Sequence, residues 1–161
     1  MLEQEKFIKH YGSLYENSPH IALAIYESHR LDTLSPLEIL SLMKDYVNKM
    51  DRESKMNLIL EHPELGIKKG HRNNLTAHSK KEQNQAGLDS LSGNEYNLLS
   101  SLNRDYMDRF KFPFIIAVSG LNKEEVFRNI QVRLKNSFKI EFNRAIDEIH
   151  KIAEIRLKNL L

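Results

Sequence analysis

Residues 140–160 read IEFNRAIDEIHKIAEIRLKNL, and this stretch decides the fold class. Its apolar positions Ala145, Ile149, Ile152 and Ala153 recur at spacings of three and four residues. That periodicity is typical of a helix with one face in the core. The stretch therefore predicts a long helix, from Ile140 to about Leu160, that is buried along one side.

The same spacing continues to Arg156, which places a guanidinium on the inward face of this helix. Burying an unpaired charge costs several kcal/mol, so the side chain needs an anionic or carbonyl partner. Two interpretations stay open. In the first, Arg156 has a structural role and either extends to solvent near the helix end or pairs with a carboxylate of the core. In the second, it belongs to a binding site.

Capping signals and apolar periodicity predict more helices before this one. The signals are Ser-Pro pairs, Ser-x-x-Glu capping boxes at Ser35 and Ser79, and Asn122 with Glu125. The predicted helices cover residues 19–29, 36–47, a stretch with Met56 to Leu60 that ends near His62, 79–91, 95–110 and a stretch after 122. Residues 64–78 are polar and contain two glycines, so they predict a surface loop.

Residues 112–118, from Phe112 to Val118, are too short and too uniformly apolar for an amphipathic helix. We expect this segment to be buried and extended or irregular. No repeat or linker divides the chain, so residues 1–161 predict one domain. The fold class predicted is all-α, a bundle of about eight helices with one short buried non-helical segment at 112–118.

Composition excludes several classes of function. The 161 residues carry a formal net charge of only +2, and their basic side chains are dispersed, so no nucleic-acid partner is expected. There is no cysteine, no signal peptide and no apolar run long enough to span a bilayer, which favours a cytoplasmic protein without disulfides. His62, His71 and His78 match no zinc-binding spacing, so no metal site is predicted.

His62 is the first residue that could carry chemistry. It stands before Pro63, which disfavours helix in the preceding residue, so the imidazole is expected at a helix C-terminus. The negative end of the helix dipole favours a protonated imidazole, which can bind an anionic substrate and deliver a proton. The alternative is that His62 simply ends the helix.

Two further clusters could bind a ligand. Ser79 and Glu82 fit a capping box, but a helix N-terminus also binds anions, and Gln83 could recognise an amide or ureido group. Residues 114–118 are either plain core or a wall whose unpaired backbone groups bind a small polar heterocycle.

These clusters and the last helix together resemble the OHCU decarboxylase family. The resemblance rests on an ordered series that covers most of the chain and is more specific than any one piece. The series comprises Tyr15-Glu16-Asn17-Ser18-Pro19, His62-Pro63-Glu64-Leu65, Ser79-Lys80-Lys81-Glu82-Gln83, Leu102-Asn103 with Tyr106, Phe110-Lys111-Phe112-Pro113-Phe114, Arg133-Leu134, Asn136, Glu141 and Arg156-Leu157. The chain departs from the family pattern at His20, where the family often has tryptophan, and at His29-Arg30-Leu31.

The resemblance implies a cofactor-independent carboxy-lyase, usually a homodimer, that decarboxylates 2-oxo-4-hydroxy-4-carboxy-5-ureidoimidazoline to S-allantoin in uric acid degradation. It implies no cofactor, while the histidine spacing and the small net charge by themselves predict no metal site and no membrane partner. The catalytic residues would be His62, which hydrogen-bonds the substrate hydroxyl, and Glu82, which orients His62 or a ureido N–H. The implied substrate contacts are Pro63, Ser79, Glu82, Gln83, Phe114, Ile115, Ile116, Ala117, Val118 and Arg156.

Two alternatives remain at this point. A helical protein interaction module without catalytic activity would have a large exposed apolar groove and no small polar pocket around His62. A related enzyme could keep the fold and act on a different ureide. The joint presence of Glu82, Gln83 and Arg156 argues against the second alternative.

Overall fold

The computed structural model describes residues 3–66 and 75–161 of the chain. These residues form eight helices and no strand, which confirms the all-α prediction. The helices are α1 (Gln4–Tyr11), α2 (His20–Ser28), α3 (Pro36–Asn48), α4 (Arg52–Leu60), α5 (Ala77–Gln85), α6 (Gly93–Phe110), α7 (Lys123–Arg133) and α8 (Phe138–Leu160). Within this part of the chain, no helix combines the length and the apolar character that a membrane span requires.

Two helix starts follow the capping rules as predicted. Ser35 accepts the backbone N–H of Glu38, whose carboxylate accepts the N–H of Ser35 in return, and this capping box starts α3. Asn122 and Glu125 exchange the same pair of hydrogen bonds and start α7. The helix predicted at 19–29 is present as α2, and α4 ends just before His62 as predicted. The Ser18-Pro19 signal for the start of α2 is wrong, because Pro19 is the N-cap without a side-chain capping bond and the Ser18 hydroxyl donates to the carbonyl of Glu16.

The predicted capping box at Ser79 is wrong. Thr76 is the N-cap of α5, because its side chain accepts the backbone N–H of Ser79, so the helix begins at Ala77. It ends at Gln85 rather than at Leu91, and Gly87 follows with φ +80°. Residues 77 and 78 of the predicted loop are therefore helical, and residues 67–74 of it, with His71, lie outside the described residues.

Three smaller differences concern helix starts. Ser92 caps α6, so Gly93 is its first residue rather than a break before it. Ser137 caps α8, which begins at Phe138, two residues before the prediction. α1 was not predicted. Its N-cap, Glu3, makes no side-chain capping bond, so the capping rules gave no signal for it.

α8 is the central helix of the bundle. It packs against α3 and α4, while α2 packs against α1 and α3, and α6 packs against α7. Ala145, Ile149 and Ala153 are buried, as their spacing predicted. The chain leaves α6 through Lys111 in a left-handed conformation, with φ 64°, and continues as residues 112–118 without regular structure. That segment is buried except for the half-buried Ala117, which confirms the predicted non-helical stretch.

Candidate functional site

The sites predicted from sequence surround one small pocket, with a cavity volume of about 30 Å³. It lies between the end of α4, the first turns of α5, the last turns of α8 and the non-helical segment. Its lining residues are Glu16, His62, Pro63, Leu65, Ser79, Glu82, Gln83, Phe114, Ile115, Ile116, Val118, Ile152 and Arg156. Every predicted site residue is among them except Ala117. Glu16, Leu65 and Ile152 were not predicted.

His62 enters this pocket as a neutral imidazole. Its Nδ1 lies 2.9 Å from the carbonyl oxygen of Leu58, which can only accept, so Nδ1 carries the proton and Nε2 has a free lone pair. Burial lowers the pKa of His62 to about 4 and outweighs the hydrogen bond from Nδ1 to Leu58 and the charge of Glu16, both of which raise it. The prediction of a protonated imidazole is therefore wrong, because desolvation outweighs the helix terminus.

Arg156 reaches the pocket from α8 and is buried, as its position on the inward face predicted. Its NH2 lies 2.8 Å from Glu16 Oε2, its Nε lies 2.7 Å from Glu82 Oε1, and its NH1 donates to the carbonyl of Ser13 at 3.3 Å. All three nitrogens of the guanidinium are thus engaged by protein groups. The interpretation that Arg156 pairs with a carboxylate of the core is confirmed, and a contact with substrate stays a prediction.

Glu16 is the buried partner that the sequence did not reveal as a site residue. It follows α1 in the chain, is 1% exposed, and also accepts the hydroxyl of Ser79. Burial by itself raises the pKa of this carboxyl, but the charge and hydrogen bond of Arg156 and the Ser79 hydroxyl together lower it below its ordinary value. The available signal was Arg156, because an inward guanidinium requires a buried acid somewhere in the chain.

Glu82 does not orient His62. Both of its carboxylate oxygens contact Arg156, and the ring of His62 is fixed by the carbonyl of Leu58 instead. This part of the Glu82 prediction is therefore wrong. The side chain of Glu82 is 19% exposed, compared with 1% for Glu16, so Glu82 is the more accessible of the two acids.

Gln83 ties the turn after His62 to α5. Its Oε1 accepts the backbone N–H of Gly66 at 3.0 Å, while Asn103 donates to the carbonyl of Leu65 at 3.0 Å. Gly66 has φ +67°, and a Cβ there would lie 2.4 Å from a methyl carbon of Leu99, so the turn accepts only glycine. The carbonyl end of Gln83 is used by the protein, which leaves its NH2 group as the end that can donate to a ligand.

The non-helical segment forms the opposite side of the pocket with Phe114, Ile115, Ile116 and Val118. Within the part of the chain that the structure describes, its one backbone–backbone hydrogen bond runs from the N–H of Leu121 to the carbonyl of Val118. The carbonyl of Ile115 accepts a hydrogen bond from Arg133 at 2.6 Å, and the remaining peptide groups, which have no helix or strand partner, can bind a polar ring. Side-chain groups that could hold a metal ion do not cluster anywhere in residues 3–66 and 75–161.

The site therefore joins an uncharged proton acceptor, a guanidinium with two carboxylates, a carboxamide donor and exposed peptide groups in one small pocket. Such a set can bind a compact polar heterocycle and hold a hydroxyl or acidic C–H against His62 Nε2. The interaction-module alternative requires a large apolar groove and no small polar pocket around His62, so this pocket does not fit it.

Comparison with known proteins gives consistent results. A model of the OHCU decarboxylase family matches residues 1–158. The 2-oxo-4-hydroxy-4-carboxy-5-ureidoimidazoline decarboxylase of Haloferax volcanii is 36% identical over 156 residues, which are 97% of this chain and 89% of that protein. The mouse decarboxylase is 31% identical, over 97% of this chain and 86% of its own length.

The uric acid degradation bifunctional protein PucL of Bacillus subtilis is 38% identical over 93% of this chain, which spans only 29% of that protein. Among solved structures, a crystal structure of (S)-allantoin synthase matches with a TM-score of 0.78 and 26% identity, over 99% of this chain and 51% of that one. An OHCU decarboxylase crystallised with (S)-allantoin shares the fold, with a TM-score of 0.70 over 88% of this chain and 89% of that chain, at 24% identity.

Proposed function

Because the chain belongs to the OHCU decarboxylase family, we propose that it decarboxylates 2-oxo-4-hydroxy-4-carboxy-5-ureidoimidazoline to (S)-allantoin in uric acid degradation. One observation carries the assignment of the site. The neutral His62 turns its Nε2 lone pair away from Leu58, within the pocket that Glu82, Gln83, Arg156 and the wall at 114–118 line.

The substrate carries a carboxylate on the ring carbon that also bears a hydroxyl group. When carbon dioxide leaves, the bonding electrons form a double bond to the adjacent imine carbon, and the imine nitrogen takes up a proton. The enol that results gains a proton at the ureido-bearing carbon, while its hydroxyl loses a proton and becomes the ring carbonyl of allantoin. The heterocycle is its own electron sink, so the proposed reaction needs no cofactor. The protein has to hold one conformer, stabilise the developing charge and admit the proton from one face.

His62 is the proposed proton-handling group. Its Nε2 accepts a hydrogen bond from the substrate hydroxyl, which a protonated ring could not do, and takes up the hydroxyl proton as that oxygen becomes the carbonyl of the product. A positioned acid–base group of this kind contributes about 10²–10⁴-fold to the rate. Because Nδ1 is fixed on Leu58, the ring keeps one tautomer and one orientation throughout.

The other side chains bind and orient the ring. The NH2 group of Gln83 donates to a substrate carbonyl, and Glu82 accepts a ureido N–H. The second N–H of Arg156 Nη1, which the Ser13 carbonyl does not use, donates to a substrate oxygen, while peptide groups of the wall contact the ring edge. Pro63 and Ser79 complete the pocket beside His62.

The test is the stereochemistry of the product followed by circular dichroism. The protein should produce (S)-allantoin faster than the racemic background, and His62→Asn should fold but lose most of this acceleration, about 100-fold or more. His20→Asn, which alters an exposed histidine outside the pocket, is the matched control and should keep full activity. Wild-type protein that yields only racemic allantoin contradicts the function, and an active His62→Asn contradicts the role of His62.

The remaining parts of the proposal concern the whole protein. We expect residues 1–161 to act as one domain, as a cytoplasmic homodimer, without cofactor or metal. Sedimentation of the purified protein measures its oligomeric state. Activity that survives dialysis against EDTA supports the cofactor-free reaction, and activity restored only by an added metal contradicts it.

A further inference from the structure

Behind the non-helical segment lies a second buried ion pair, which the proposed reaction does not use. Arg133, the last residue of α7, contacts Glu141 of α8 with NH2 at 2.9 Å from Oε2 and Nε at 3.0 Å from the same oxygen. Their side chains are 3% and 0% exposed. Neither residue lines the pocket.

Arg133 links this ion pair to the wall of the pocket. Its NH1 donates to the carbonyl oxygen of Ile115 at 2.6 Å, and its Cζ lies 4.4 Å from the centre of the Phe114 ring. Both contacted residues line the pocket. Because residues 112–118 have no helix or strand to fix their dihedral angles, this side-chain contact replaces the backbone ladder that would normally do so.

Glu141 is itself held in one position. It accepts the hydroxyl of Tyr106 and, through Oε1, the Nδ2 amide of Asn136 at 2.9 Å. The ring of Tyr106 contacts that of Phe114 edge-on, with centroids 5.2 Å apart. The guanidinium therefore has fixed partners on one side and the wall on the other. Its Nη1 holds the carbonyl of Ile115 in a defined position.

We infer that Arg133 is a positioning residue for the reaction at this pocket, acting through the backbone of Phe114 and Ile115. The inference rests on the proposed function. Loss of carbon dioxide gives an enol whose flat ureido-bearing carbon solvent could protonate from either face, and a fixed wall keeps one face closed. A misplaced group costs rate and selectivity even when no catalytic side chain changes.

Arg133→Lys is the variant that tests this role. A lysine can keep the charge opposite Glu141, but it lacks the planar fork that reaches Glu141 and the Ile115 carbonyl with separate nitrogens. Arg144→Lys is the matched control. Arg144 pairs with the buried Glu148 at 3.2 Å within α8, and neither residue lines the pocket.

Two quantities separate positioning from a purely structural role, because a smaller folded fraction changes neither of them. They are the KM and the excess of (S)-allantoin, measured at enzyme concentrations adjusted to give equal total rates. We expect Arg133→Lys to raise KM about tenfold and to lower the (S) excess. Arg144→Lys should leave both at the wild-type values.

Wild-type KM and (S) excess in Arg133→Lys overturn the inference. If this variant does not fold, Tyr106→Phe decides, since it removes only the hydroxyl that holds Glu141 and should shift both quantities in the same direction by less. Unchanged values in that variant also overturn the inference. A wild-type protein that makes racemic product instead removes the proposed function, and this inference with it.

Discussion

At the scale of the residue, His62 shows how burial can reverse an expectation drawn from helix geometry. The helix-end carbonyl is present, at 2.9 Å from Nδ1, and it does raise the pKa. Desolvation by the surrounding pocket is the larger effect and holds the pKa near 4. The sequence predicts where His62 lies relative to α4. The burial of its ring depends on α5, α8 and the wall, which are distant in the chain.

This protonation state predicts the acid limb of the pH–rate profile. In the free enzyme, a pKa of about 4 means that Nε2 remains available from neutral pH down to about pH 5 and is lost only as the ring takes up a proton below that. We expect kcat/KM to stay level over this range and then fall. An inflection near the ordinary pKa of histidine would contradict a buried neutral ring.

Arg156 predicts a large loss of stability when its charge is removed. In Arg156→Met, the carboxylate of Glu16 stays buried without its cation, and breaking a buried pair in this way costs about 3–5 kcal/mol. Urea unfolding measures the change. Lys158→Met is the control, because both side chains of the Lys158–Glu154 pair are exposed, at 62% and 39%, and its loss should cost far less. Equal costs in the two variants would show that the pair with Glu16 is not formed.

At the scale of the element, helix caps should contribute as their geometry indicates. Ser35→Ala removes the side-chain acceptor of the Glu38 N–H and should destabilise the protein by about 1 kcal/mol. Ser28→Ala is the control, because the Ser28 hydroxyl caps no helix start: it donates back to the carbonyl of Ala24 and lies 2.8 Å from His29 Nδ1. The difference in unfolding free energy between the two variants measures the cap, and no difference contradicts it.

The helices show which boundaries could be predicted from sequence. α3 and α7 each offer one cap with one partner three residues on, and both were predicted correctly. α5 offers two candidate caps, Thr76 and Ser79. The second is not the cap because its hydroxyl donates to Glu16, 63 residues away in the chain, and a local pattern cannot show that contact.

At the scale of the whole molecule, the site is a meeting of distant segments. The apolar period of α8 was enough to place Arg156 inward, and the family resemblance was enough to name His62, the residues of α5 and the wall. Glu16 was not identified because the sequence around an acidic residue does not show whether the fold will bury it or expose it. Its contacts with Ser79 of α5 and Arg156 of α8, both distant in the chain, give it its role.

Acid should weaken the folded state in the range where histidines titrate. His150 bridges α8 to Tyr15 and to Asn48 with hydrogen bonds of 2.9 Å each, and burial lowers its pKa to about 4. The unfolded chain then binds more protons than the folded one between about pH 6.5 and 4, so the unfolding free energy falls as pH falls through this window. Urea melts should show this slope, reduced in His150→Gln. An unchanged slope in that variant contradicts the assignment.

The engaged guanidinium of Arg156 has a consequence for the small anions that surround any enzyme. A bare arginine in a pocket attracts phosphate and chloride, whereas this one already holds two carboxylates as internal counter-ions. The anions of ordinary salts find no unpaired positive charge at Arg156, so phosphate in large excess over substrate should inhibit turnover only weakly. The substrate binds through its ring, hydroxyl and carboxylate together. Glu16 and Glu82 thereby select against ions that offer only charge.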